Sequence, residues 1–128
     1  MSSILGLEEK ALKLCEERAG ILSHNIANVS TPNYKARDFD FQKALKQATE
    51  HSQLITTHKN HVHTMSNKSS IGGQPLQYRV PMQEKLDQNT VDDELERKNF
   101  MENSLHYQAN LNFVQGKYAQ LMKAIKGE

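Results

Sequence analysis

Residues 90–127, TVDDELERKNFMENSLHYQANLNFVQGKYAQLMKAIKG, carry the longest hydrophobic period in the chain. Eight positions in this stretch recur at alternating spacings of four and three residues, and one of the eight is a serine. They are Phe100, Ser104, Tyr107, Leu111, Val114, Tyr118, Leu121 and Ile125. This period is typical of a helix that packs against another helix along a heptad seam. The sequence therefore predicts a long helix in the last third of the chain.

Both ends of this helix carry sequence signals. Thr90 is a favourable N-cap, and Asp93 follows three residues later, as in an aspartate version of the capping box. Lys123 and Lys126 stand in the last turns, where the helix dipole favours positive charge, and Gly127 suits the residue after the helix. We therefore expect the helix to run from Thr90 to Gly127.

The first third of the chain repeats the pattern. Its seam positions are Leu5, Glu8, Leu12, Cys15, Ala19, Leu22, Ile26 and Val29. Pro32 lacks a backbone donor and biases Thr31 towards extended geometry, so this helix must end near Asn28. The sequence thus predicts a second long helix with a seam of its own.

The C-terminal helix has more apolar residues than one seam needs. The additional residues are Leu95, Met101, Leu105, Ala109 and Met122. We expect helices of other subunits to cover this apolar shoulder. The alternative is a compact monomer whose middle segment folds over the helix pair.

The composition changes between the two helices. A short helix is predicted from Phe41, Ala44, Leu45 and Ala48. Residues 51–74 are rich in polar side chains, so we expect this segment to be partly disordered, with a short strand at 54–57. A second strand is predicted at 76–80, which alternates apolar and polar side chains between two prolines. The predicted fold is mainly α and forms one structural domain, with an N-terminal helix (1–30), an insert (31–89) and a C-terminal helix (90–128).

The composition also excludes several classes of protein. Lys and Arg total 16 and Asp and Glu total 15, a balance that argues against nucleic-acid binding. No apolar run approaches the roughly 18 residues of a membrane span. Glu8 and Glu9 stand where a secretory signal would have an apolar stretch, so we expect no cleaved signal peptide. A single cysteine, Cys15, excludes an intrachain disulfide.

The sequence contains few residue patterns that are typical of a catalytic site or a metal site. Four histidines lie in the middle segment, at His51, His58, His61 and His63. No cysteine or well-spaced carboxylate completes a set of four metal ligands, so solvated loop histidines are expected rather than a metal site. A coiled-coil metal-responsive adaptor is the alternative interpretation. Because the sequence has no G-x-S-x-G, P-loop or H-E-x-x-H motif, we expect neither catalytic residues nor a cofactor.

Residues 25–36, NIANVSTPNYKA, are predicted to end the first helix and to form a turn after it. Asn28 tolerates left-handed backbone geometry, Pro32 suits the first central position of a turn, and Asn33 can adopt a positive φ at the second. Tyr34 can then fold back as an anchor. The end of a helix requires fewer defined residues than this stretch contains.

The string resembles the A-N-x-x-T-P-x-Y signature of flagellar axial proteins, the family of rod and hook subunits. The motif residues are Asn25, Ala27, Asn28, Thr31, Pro32 and Tyr34. Blocks at 35–41, 76–81, 86–92 and 103–108 are similar to the proximal rod members of this family, in matching order across nearly the whole chain. Asn33 and Gln88 stand where the family commonly has glycine.

The resemblance implies a structural subunit of the bacterial flagellar basal body whose terminal helices form an antiparallel coiled coil. It also implies export by the flagellar type III apparatus and assembly into a periplasmic rod that transmits torque and encloses the export channel. The implied partners are other copies of the chain, the basal-body protein FliE, the rod protein FlgC and the export gate proteins. Another rod protein, similar to FlgC, is the nearest alternative. The implied helix-packing and subunit-interface residues are Leu5, Leu12, Leu22, Ile26, Val29, Phe100, Leu105, Tyr107, Leu111, Val114, Tyr118, Leu121 and Ile125.

Overall fold

A computed structural model describes residues 2–54, 70–71 and 74–127 of the chain, with side chains described for 6–50 and 74–127. The elements follow in the order α1 (Ser2–Ala27), β1 (Arg37–Asp38), α2 (Phe41–Leu54), β2 (Ser70–Ile71), β3 (Gln74–Pro75), β4 (Gln77–Tyr78) and α3 (Asp93–Lys126). Two long terminal helices with a short helix and short strands between them confirm the predicted, mainly α fold.

Helices α1 and α3 pack against each other in antiparallel orientation. Near the start of α1, Glu8 forms an ion pair with Lys117 close to the end of α3. Near the end of α1, Asn25 hydrogen-bonds Glu96 in the first turn of α3. Contacts in this reversed order confirm the antiparallel coiled-coil pairing.

The N-cap of α3 is Asp92, and the predicted cap at Thr90 is wrong by two residues. Asp92 has extended backbone geometry, and its side chain accepts a backbone N–H of the first turn. The Thr90 hydroxyl instead accepts the N–H of Ala36 across 2.8 Å, so a tertiary contact uses the group that would have capped the helix. At the other end Gly127 has φ 71° and donates its N–H to the Lys123 carbonyl, which confirms the predicted C-terminal signal.

Helix α2 packs on α1 through a small apolar core. The core consists of Leu14, Phe39 and Ala44, with Ile21, Phe41, Leu45 and Leu76 against it. Asp40 accepts the backbone N–H of Lys43, which satisfies a free donor at the start of α2. The short helix is confirmed and reaches Leu54. The strand expected at 54–57 is therefore wrong at Leu54, and its other three positions lie outside the described residues.

The strands hold the insert against the helices. β1 pairs antiparallel with β4, with Arg37 opposite Tyr78, and β2 pairs antiparallel with β3. The Arg79 N–H donates to the Ala36 carbonyl across 2.9 Å and adds one bond beyond the β1–β4 pair. The strand predicted at 76–80 is thus shorter, because its partner β1 has only two residues. Of the segment expected to be partly disordered, 51–54 belong to α2, 70–71 to β2 and 74 to β3, and 55–69 and 72–73 lie outside the described residues.

One row of the predicted α3 seam is displaced by one residue. Phe100, Tyr107, Val114 and Leu121 are buried or half-buried, but of the other predicted row only Leu111 is half-buried, and Ser104, Tyr118 and Ile125 are exposed. The second row that faces α1 instead contains polar side chains, at Glu96, Asn103, Asn110 and Lys117. A hydrophobic period assigns apolar residues to the seam and passes over polar residues, even when those have partners on the other helix. The predicted row therefore lies one residue away from the observed row.

Candidate functional site

Asn25 is the centre of a buried hydrogen-bond network at the end of α1. Its Nδ2 donates to the Arg37 carbonyl across 2.7 Å and to Glu96 Oε2 across 3.2 Å. Its Oδ1 accepts the Arg37 N–H and the Tyr34 hydroxyl, each across 3.2 Å. Both donors and the acceptor of the amide are therefore satisfied inside the protein. We call Asn25, Tyr34, Arg37 and Glu96 the motif hub.

The turn between α1 and the motif hub has the positive φ predicted for Asn33, whereas Asn28 does not adopt left-handed geometry and acts through its side chain. Asn28 donates its amide to the His24 carbonyl across 2.8 Å, and Thr31 donates its hydroxyl to Asn28 Oδ1 across 3.0 Å. Asn33 has φ 63°, as predicted, and donates its N–H to the Asp87 carbonyl across 2.8 Å. The turn thus reverses the chain and brings Tyr34 back against α1.

Asn89 fastens this turn from the other side, and sequence reasoning missed it. Its side-chain amide lies 2.8–3.0 Å from the carbonyl oxygens of Asn28, Val29 and Thr31. Its Oδ1 accepts the Val91 N–H across 2.8 Å. The only local signal is the Asp87–Asn89 turn, in which the Asp87 carboxylate accepts the Asn89 N–H. No spacing rule would connect this turn to residues about 60 positions earlier.

Four alternating charges extend the network from Glu96. Arg79 Nε lies 2.7 Å from Glu96 Oε1, as an ion pair rather than an aligned hydrogen bond. The same guanidinium contacts Asp38 across 3.0 Å, and Arg18 binds both carboxylate oxygens of Asp38. Burial raises the pKa of Glu96, and hydrogen bonding from Asn25 and the charge of Arg79 partly oppose that rise. The position of Glu96 in the first turn of α3 suits a negative charge, but its carboxylate is fully buried and belongs to this network.

Further polar contacts cross the α1–α3 interface. Asn103 is buried and donates to the Cys15 carbonyl across 2.8 Å. Burial raises the pKa of the Cys15 thiol, so this cysteine behaves as a small apolar side chain. The hydrogen bond from Lys117 lowers the pKa of Glu8. The interface is therefore partly apolar and partly a set of matched polar pairs.

The opposite side of α3 carries a row of uncovered apolar residues. Met101, Leu105 and Phe113 are 67%, 71% and 59% exposed, and Ala109 lies between them at the same four-residue spacing. We call these four residues the outer stripe. A second apolar surface lies in the loop after β4, where Val80, Met82 and Leu86 are almost fully exposed.

Comparison with known proteins identifies the family. No family model matches the chain. It is 43% identical to the flagellar basal body rod protein FlgB of Aeromonas hydrophila, over 96% of this chain and 92% of that protein. Identity is 42% to FlgB of Cereibacter sphaeroides, over 97% and 94%, and 36% to FlgB of Escherichia coli, over 98% and 95%. The chain belongs to the FlgB family. This membership confirms the resemblance drawn from residues 25–36.

The predicted site residues of this FlgB-family chain fall into distinct environments. The motif residues are buried at Asn25, half-buried at Asn28 and Tyr34, and exposed at Ala27, Thr31 and Pro32. Of the predicted interface residues, two are buried, Leu22 and Val114. Half-buried are Leu12, Ile26, Val29, Phe100, Tyr107, Leu111 and Leu121. Exposed are Leu105, Tyr118 and Ile125. The side chain of Leu5 lies outside the described residues.

Two further expectations concern metals and membranes. Among the described side chains, those of residues 6–50 and 74–127, no three of His, Cys, Asp or Glu are arranged to hold a metal ion. The side chains of His51, His58, His61 and His63 lie outside this part of the chain. Within residues 2–54, 70–71 and 74–127, no helix has both the length and the apolar content to cross a bilayer.

Proposed function

We propose that this chain is a structural subunit of the proximal rod of the flagellar basal body, without catalytic activity. In this proposal the chain is exported by the flagellar type III apparatus and assembles helically with other copies of itself. The observation that carries the proposal is the outer stripe, an uncovered apolar surface on a chain of a rod protein family.

The outer stripe has the form of a helix-packing surface. Its residues recur every four positions, so they form one of the ridges by which helices of globular proteins interlock. Full burial of a side chain such as Leu105 is worth about 1.5–3 kcal/mol, which favours covering the stripe with a neighbouring subunit. A contact between different surfaces of identical subunits continues without closing and produces a filament.

The buried polar contacts support a mechanical role. The motif hub joins α1 to α3 at one end, and Glu8 and Lys117 join them at the other. A helix pair fastened at both ends moves as one unit, as the transmission of torque requires. We extend the proposal to a periplasmic position around the export channel and to contacts with FliE, FlgC and the export gate, which the family resemblance suggests.

Complementation tests the proposal. The chain is expressed in Aeromonas hydrophila lacking its own FlgB, and swimming, isolated basal bodies and export of the chain are measured. We expect the chain to restore swimming. We expect Leu105→Asp to keep its helix content by circular dichroism but to lose rod assembly, because a charge on the outer stripe opposes its burial.

The matched control is Gln115→Asp, which places the same charge at another exposed position of α3. This variant should swim normally. The proposal is wrong if the unchanged chain fails to restore rods although it is produced and helical, or if Leu105→Asp swims as well as Gln115→Asp.

A further inference from the structure

Four polar residues of α3 face α1 at intervals of seven residues. They are Glu96, Asn103, Asn110 and Lys117, which we call the polar ladder. Glu96 and Asn103 are 0% and 2% exposed, and the other two are half-buried. A seven-residue interval keeps a side chain on the same face of a helix pair, so the four residues form one row.

Each member of the polar ladder has a partner on α1, in reversed order along the chain. Glu96 accepts from Asn25, and Asn103 donates to the Cys15 carbonyl. Asn110 lies beside the Cys15 thiol and partly opposes the rise of its pKa, and Lys117 forms an ion pair with Glu8. Every member of the row therefore contacts α1, and Glu96 is paired in addition with Arg79, which follows β4.

Stability alone does not explain the polar ladder. Apolar residues of similar size at such positions often make a helix pair as stable or more stable, whereas buried polar residues are best known for determining which helices pair and how. The outer stripe lies on the other side of the same helix: Met101 precedes Asn110 by nine residues, about two and a half turns. Helix α3 thus has apolar side chains on two faces, and apolar burial alone does not decide which of the two packs on α1.

We infer that the polar ladder selects the face of α3 that packs on α1, and thereby leaves the outer stripe free for another copy of this chain. If α3 turned its outer stripe towards α1, Asn103 would lose the Cys15 carbonyl and Glu8 would lose the cation that neutralises it. The stripe offers no polar group to replace either contact. Only the second part of the inference, the role of the free stripe, rests on the proposed function.

Thiol labelling of the dilute, full-length chain tests this selection without requiring assembly. Cysteine replaces either Leu105 on the outer stripe or Val114 on the inner face, in a Cys15→Ser background that retains a partner for Asn110. We expect Val114→Cys to react with a maleimide at least about ten times more slowly than Leu105→Cys, because a buried thiol reacts only when the structure opens. Combining Asn103→Leu with Asn110→Leu should remove most of this difference while the helix content is unchanged.

The matched control combines Asn112→Leu with Gln115→Leu, which adds the same apolar groups at exposed positions of α3. This control should keep the tenfold difference. The inference is overturned if Asn103→Leu with Asn110→Leu also keeps it. That result would leave the rod assignment intact, whereas failed complementation would leave the polar ladder intact.

An exchange of the charges of Glu8 and Lys117 tests the inference if the variant Asn103→Leu with Asn110→Leu does not fold. Glu8→Lys alone should reduce the difference between the two labelling rates, because it places two ammonium groups together. Glu8→Lys combined with Lys117→Glu should restore it. Equal rates in the exchanged protein, despite unchanged helix content, would overturn the inference.

Discussion

The side-chain amide of Asn25 donates to Glu96 Oε2 across 3.2 Å, between residues 71 positions apart in the chain. Both side chains are fully buried, so neither can exchange this bond for one with water. The bond joins the end of α1 to the first turn of α3. Asn25 therefore acts in tertiary structure, whereas the signature residues Asn28 and Thr31 shape the local helix exit.

The first prediction concerns the replacement of Asn25, the donor of this bond, by an acidic residue. Asn25→Asp keeps the size of the side chain but removes both donors and places a second carboxylate beside Glu96. We expect the free energy of unfolding to fall by about 2–4 kcal/mol, since buried groups lose partners and like charges meet. Urea denaturation followed by circular dichroism at neutral pH measures the loss.

A compensating change gives the control for this prediction. Glu96→Gln in the Asn25→Asp background reverses the direction of the hydrogen bond and removes the like-charge contact. The double variant should recover at least about 1 kcal/mol relative to Asn25→Asp, as a double-mutant cycle between contacting residues would show. Additive effects of the two changes would contradict a direct interaction.

The features that were predicted correctly depend on neighbouring residues. The long helices follow from three- and four-residue spacings, the end of α1 from Pro32, and the cap at Gly127 from its backbone freedom. Asn33 was expected to adopt a positive φ because a short polar side chain tolerates it. Each of these signals acts within a few residues, and a sequence displays it directly.

The features that were missed depend on partners distant in sequence. Thr90 would cap α3 but for the N–H of Ala36, 54 residues earlier. Glu96 matches a favourable helix start, yet Arg79 and Asn25 make it part of a buried network. Asn103 stands next to the predicted seam position Ser104, and its partner, the Cys15 carbonyl, lies 88 residues away in the chain. Polar residues with tertiary partners are thus the group that periodicity misassigns.

The second prediction concerns pH. Burial raises the pKa of Glu96 above its usual value of 4.5. The folded state therefore binds this proton more tightly than the unfolded state, and the resulting stabilisation is present below pH 4.5 and is lost as the pH rises through the raised pKa. Glu96→Gln has no such proton, so its stability relative to the unchanged chain should rise as the pH increases from 4.5 towards 7.

Urea unfolding of both proteins across this pH range provides the measurement. Glu8 behaves in the opposite way, because its lowered pKa makes its contribution disappear as the pH falls below 4.5. That contribution is common to both proteins and cancels in the difference between them. A difference that is constant with pH, or that decreases as the pH rises, would contradict the raised pKa of Glu96.

The third prediction concerns the backbone at Gln88, which has φ 59°. This left-handed conformation costs a residue with a Cβ atom about 1–2 kcal/mol, and glycine adopts it freely. The Gln88 side chain is exposed, so its removal costs little packing. Gln88→Gly should therefore raise the free energy of unfolding by about 0.5–1 kcal/mol, after allowance for the greater freedom of glycine in the unfolded chain.

Gln83→Gly is the matched control, because Gln83 is exposed in the same loop and has no positive φ. It should lose about 0.5–1 kcal/mol, since glycine gains freedom in the unfolded state and relieves no strain. Thermal unfolding of the two variants should thus shift in opposite directions. Destabilisation of similar size in both would show that Gln88 is not strained.

The last prediction concerns Asn89, whose amide reaches three carbonyl oxygens of the turn after α1. Asn89→Ala removes these bonds and leaves the buried Val91 N–H without its acceptor, so we expect a loss of about 2–4 kcal/mol. Hydrogen exchange should show the largest new opening at the Asn33 and Thr90 N–H groups, which join the turn to the loop before α3. Asn112→Ala, on the exposed face of α3, should change stability by less than about 0.5 kcal/mol. If both alanine variants lose the same stability, or if exchange at Asn33 and Thr90 is unchanged in Asn89→Ala, Asn89 does not fasten the turn.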